Sequence, residues 1–137
     1  MNKHLKHALI LTLLVLILGF SITMVVFSLD LKHVLVTEPT PTFFLEIFFH
    51  NLLFIVIYSI PVLGFVYFMY SFTTIFIAIG LLFTHIGVVT TLSRLWHLPL
   101  ELFSFALVLT MKPKTRIKPI LIAVLMLFVA SILEFYI

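Results

Sequence analysis

The run Phe43–Ser93, "FFLEIFFHNLLFIVIYSIPVLGFVYFMYSFTTIFIAIGLLFTHIGVVTTLS", carries a single Asp, Glu, Lys or Arg residue, Glu46. A bilayer-spanning helix takes about 20 residues. This run is therefore too long for one crossing and suited to two. Pro61 and Gly64 interrupt its first half. A proline at such a place kinks an apolar helix rather than ending it. The expected turn is "YFMYSFTT", Tyr67–Thr74, which gives spans near 46–69 and 72–92. That turn holds no basic residue and must be tight.

The rest of the chain agrees with a membrane-embedded reading. Of its 137 residues 64% are hydrophobic and 9% charged, with a mean hydropathy of +1.35. Soluble domains are nearer half apolar and a quarter charged. No stretch outside the apolar runs is long enough for a second domain, so residues 1–137 form one integral membrane domain. The fold class is all-α. With no cysteine, a disulfide, a thiolate nucleophile and a cysteine metal site are all excluded.

Upstream, residues 8–29 form an uncharged run of span length preceded by Lys3 and Lys6. A cleaved signal peptide has a shorter apolar region and a small-residue cleavage site. No Ala-x-Ala-like site follows here, so a retained helix with a cytoplasmic N-terminus is expected. Residues 30–42, with Pro39 and Pro41, read as an extended loop.

Downstream, Arg94 breaks the apolar run and "LELFSFALVLTM" resumes it. "KPKTRIK", Lys112–Lys118, then places four positive charges in seven residues. Basic residues accumulate on the cytoplasmic side, so Lys112–Lys118 shares a side with Lys3 and Lys6. An even number of crossings must separate them. Residues 98–111 therefore cross as a fourth span, and residues 119–136, opened by Pro119, as a fifth. A re-entrant fourth segment would instead place the four charges outside. The protein is expected in the cell (plasma) membrane as a multi-pass chain.

The fourth span is short. A helix from Pro99 to Met111 covers about 20 Å of a hydrocarbon core about 30 Å thick. The missing depth requires tilt, thinning or a non-helical lead-in. Irregular backbone at depth must be buried in protein or face a wet cavity, so Trp96–Leu98 is expected against other helices.

This topology gathers polar residues in the outer half. Glu46, His50 and Asn51 start span two, Arg94 and His97 join spans three and four, Glu101 opens span four, and Glu134 ends span five. Ionisable groups within spans face the bundle interior and default to a functional hypothesis. Each also has a plain reading. Glu101 suits the N-terminus of a helix opened by Pro99. His97 beside Trp96 suits the headgroup belt. Glu134 lies three residues from position 137, and Glu46 reads as a surface helix-start residue. Arg94 suits a structural ion pair with Glu101, Glu134 or Glu46. His85, mid-span, reads as a packing histidine, and the sixteen Phe residues read as lipid-facing bulk.

The order of these features resembles the stage II sporulation protein M family, small polytopic membrane proteins. The residues concerned are His50-Asn51 in "FFHNLLF", Gly64 and Gly80, "HLPLE" at His97–Glu101, and Glu134 in "ASILEFYI". Trp96 and Leu98 stand where the family usually has the Pro and Gly of Pro-His-Gly-x-x-Glu, and Pro99 is shifted inward. The family's third-span asparagine is not evident, and the chain is short for the family. The resemblance implies a non-enzymatic role, either as a membrane scaffold or in bacteriocin immunity or secretion. It implies the lipid bilayer and another membrane protein, or a second copy, as partners.

Two other function classes fit parts of the pattern. A small transporter or permease subunit would use the kinked second span and the intramembrane carboxylates. A metal enzyme would need His97 and Glu101, at i and i+4, to share an ion with His50 or His85. No His-Glu-x-x-His or Gly-x-Ser-x-Gly motif accompanies them, so neither catalytic residues, nor a metal, nor another cofactor is expected. "KPKTRIK" is explained by topology and anionic headgroups, which leaves no case for nucleic acid.

Overall fold

The computed structural model describes residues 2–34, 43–111 and 117–136. The Pro39–Pro41 stretch and Lys112–Arg116 lie outside the described residues. Among the described residues the chain forms six α-helices and no strand: α1 Lys3–Ser28, α2 Phe44–Tyr58, α3 Leu63–Ile86, α4 Val88–Arg94, α5 Leu98–Thr110 and α6 Ile117–Tyr136. It is an all-helical polytopic membrane fold. Helices α1, α3 and α6 are long and apolar enough to cross a bilayer, and α4 with α5 makes a fourth candidate bent by 51°. The expected second span, 46–69, is cut short: α2 has 15 residues and reaches only about 22 Å. Helix α6 begins two residues before Pro119, at Ile117.

The expected turn at Tyr67–Thr74 is not a turn. Helix α3 runs unbroken through it, and the chain reverses at Ser59–Val62 instead. Pro61, expected to kink, ends the helix. It has no N–H to donate, and Val62 beyond it takes a φ of +66°, an uncommon conformation for a β-branched residue. The freed backbone groups are satisfied locally. The Leu63 amide donates to the Pro61 carbonyl at 2.7 Å and the Gly64 amide to that of Ile60 at 2.8 Å. A Cβ on Gly64 would lie 2.5 Å from the Tyr58 carbonyl oxygen, so only glycine lets the two helices meet this closely. Packing then holds the hairpin: Phe54 lies against Tyr67 at 6.0 Å and Tyr58 against Phe68 at 5.5 Å between ring centroids. A run of apolar residues does not encode which of its interruptions will be stabilised by such packing.

The 51° break between α4 and α5 has a direct cause. Continuing α4 through Leu95–Pro99 would require a donor at Pro99, and the proline ring would meet the carbonyl four residues back. Pro99 is instead accommodated in the first turn of α5. Gly87, with φ +88° and ψ 155°, separates α3 from α4. That backbone region is essentially open to glycine alone.

Contacts along the helices give their directions. Val26 meets Gly80 and Phe27 meets Phe83, while a methyl built on Gly19 would overlap the Phe76 ring. Position therefore rises together on α1 and α3, which run parallel. The Thr23 hydroxyl donates to the Phe76 carbonyl at 3.0 Å, a bond that crosses between these two helices. Helix α5 runs opposite to α1. His4 Nδ1 lies 3.4 Å from the Thr110 carbonyl, and Ala8 packs with Ala106 and Leu107. Small residues at these contacts allow the close backbone approach that membrane helices rely on. The start of α1 and the end of α5 thus share one end of the bundle, as the charge parity requires.

The phenylalanines are not all lipid-facing bulk. Phe68, Phe72, Phe76, Phe83 and Phe105 are buried and form the core with Tyr58, in edge-to-face pairs such as Tyr58–Phe105 at 5.0 Å. Among α2, α3 and α5, large aromatic rings pack against one another. Others, such as Phe20, Phe49 and Phe65, remain exposed, as lipid-facing positions do.

Candidate functional site

Helices α2, α3, α5 and α6 bound a cavity of about 730 Å³. Six of the seven residues expected to gather line it: Glu46, His50, Asn51, His97, Glu101 and Glu134. Tyr70, Ser71 and Thr74 add hydroxyl groups from the middle of α3. Their spacing, i, i+1 and i+4, shares one face only once the segment is helical. A turn at Tyr67–Thr74, the expectation from apolar length, hides that face; the unbroken α3 creates it.

In its wall Asn51 Nδ2 donates to Glu101 Oε1 at 2.5 Å. Both side chains are buried, with 8% of each residue exposed. A carboxylate removed from water is costly unless hydrogen-bonded or paired. The Asn51 amide, reaching from a separate helix, supplies such a bond. Glu101 is therefore more than a local helix cap. His97 is the N-cap residue of α5 and makes no side-chain cap bond. Its carbonyl accepts from the Glu101 amide at 3.1 Å, while its imidazole hydrogen bonds to the backbone of Arg94.

Glu134, half exposed one turn from the end of α6, turns its Oε2 to within 3.9 Å of His97 Nε2. One nitrogen of His97 and one oxygen each of Glu101 and Glu134 all lie within 4.8 Å of one another. The sequence placed His97 and Glu101 on one helix face but offered His50 or His85 as a third member. The structure brings in Glu134 instead. His50 is exposed and meets the edge of Phe54 at 4.9 Å. His85 is elsewhere, its Nε2 2.7 Å from the Val34 carbonyl, where it ties the chain beyond α1 to the end of α3.

Arg94 does not line the cavity. It ends α4 with an exposed side chain and reaches the site through its backbone. Trp96, expected against other helices, is 71% exposed, while Leu95 and Leu98 on either side pack into the core. The break alternates these residues, two inward and one outward. Among the described residues no Lys or Arg lines the cavity. Three glutamates and two histidines do, which makes it acceptor-rich and attractive to cations and to N–H or O–H donors.

Compared with known proteins, the chain matches no family, no curated protein and no solved structure.

Proposed function

We propose that the chain is a non-enzymatic integral membrane protein of the cell membrane, N-terminus inside, that works by binding a partner in this cavity. One observation carries the reading: a cavity of about 730 Å³ beside the buried Asn51–Glu101 pair. The cavity is open to the surroundings, so a group from another molecule can reach the polar residues that line it. The order of His50-Asn51, "HLPLE" and Glu134, similar to that of the stage II sporulation protein M family, favours a scaffold or bacteriocin-immunity partner. Co-purification from native membranes tests this. Wild type should retain a protein or peptide that a His97→Gln/Glu101→Gln variant releases. Identical sets of bound proteins would sink the reading.

A second reading is a small transporter subunit. It is favoured by the α4–α5 break, which lies at the cavity as discontinuous helices do at transport sites. Vesicles reconstituted with the chain and showing no solute or proton flux would remove it.

A further inference from the structure

We propose that His97, Glu101 and Glu134 form a binding site for one divalent transition-metal ion of the Zn²⁺ type. One imidazole and two carboxylates are a donor set that such ions accept. Their donor atoms already lie within 4.8 Å of one another. Tetrahedral Zn²⁺ bound at ~2.0–2.2 Å separates its ligand atoms by ~3.4 Å, so side-chain displacements of at most about 1.4 Å bring these donors into range. Glu134, half exposed near the end of its helix, has the freedom to make that adjustment.

The surroundings are those of a supported ligand set. His97 and Glu101 sit at i and i+4, on one face at the start of α5. Asn51 donates to one Glu101 oxygen, and the backbone of Arg94 engages the His97 imidazole. Outer hydrogen bonds of this kind orient ligating carboxylates and imidazoles. Charge argues the same way. Glu101 is buried beside Glu134, and the residues that line the cavity carry carboxylates and imidazoles. A divalent ion would neutralise both carboxylates at once. Three protein ligands leave a further coordination position, open to water or to a donor from a molecule in the cavity.

The test uses the full chain purified in detergent, stripped with chelator and reloaded with Zn²⁺ or with Co²⁺ as a spectroscopic probe. It needs no partner, so its outcome is separate from that of the partner-binding reading. Wild type should hold about one Zn²⁺ per chain and give visible Co²⁺ bands, both lost in His97→Gln and Glu134→Gln. Asn51→Ala, a change at a positioning residue, should weaken binding roughly 10–100-fold. Circular dichroism and size exclusion establish that each variant is folded. If a His97 or Asn51 variant fails that check, Glu134→Gln, at a half-exposed position, carries the comparison. Less than about half an ion per wild-type chain overturns the proposal, as does wild-type affinity retained in the folded ligand variants.

Discussion

Asn51 and Glu101 stand 50 positions apart and meet through one buried hydrogen bond, Nδ2 to Oε1, that joins α2 to α5. Asn51→Leu would leave the carboxylate without that donor. It should destabilise the folded chain by about 1–3 kcal/mol. Glu101→Gln keeps an acceptor oxygen for Asn51 and should cost less. Unfolding in mixed micelles, followed by circular dichroism, gives the order of the two. Equal losses, or an Asn51→Leu variant as stable as wild type, would show that the bond does not hold α2 in place.

The α1–α3 contact is limited by space. A Cβ on Gly80 would lie 2.7 Å from Val26 Cβ and 2.8 Å from the Thr23 carbonyl oxygen. Gly80→Val should therefore separate the helices, at about 1–3 kcal/mol. Thr23→Val retains the volume and removes the bond to the Phe76 carbonyl. Its expected cost is nearer 0.6 kcal/mol, about the average for such bonds in membranes. The same unfolding assay should rank Gly80→Val well below Thr23→Val in stability.

Gly87 isolates a purely conformational cost. Nothing lies within 4 Å of a Cβ placed there, yet its φ is +88°. Gly87→Ala should destabilise by about 1–3 kcal/mol with no change in packing. An alanine variant matching wild type in thermal unfolding would mean that the α3–α4 junction adopts another backbone conformation.

Because the chain has no cysteine, single cysteines report topology directly. The His4–Thr110 contact puts the start of α1 and the end of α5 at one end of the bundle. Helix α1 carries Lys32 to the other end, about 39 Å along its 26 residues. Membrane-impermeant maleimide should label Lys3→Cys and Lys118→Cys from the same face and Lys32→Cys from the opposite face. Labelling of Lys3→Cys and Lys118→Cys from opposite faces would rule out this arrangement.

Much was legible in the sequence because lipid imposes simple rules. Apolar length marked the helical membrane fold. The short fourth segment and its break at Pro99 followed from length and from proline's missing donor. Charge parity predicted that Lys3 and the end of α5 share a side, and α1 and α5 do run antiparallel. The gathering of Asn51, His97, Glu101 and Glu134 followed from that topology, since each lies at the same end of its segment. Tertiary structure decided the rest. Whether Pro61 kinks or ends a helix depended on Phe54 and Tyr58 finding Tyr67 and Phe68 across the hairpin, contacts that a uniformly apolar run does not specify. The burial of Phe68, Phe72 and Phe105 depended on α2, α3 and α5 packing around one another. Glu134 rather than His50 or His85 joined His97 and Glu101 because α6 packs antiparallel against α5. Local sequence carries the cost of each group in lipid, but only the packed bundle determines which groups lie within a few ångströms of one another.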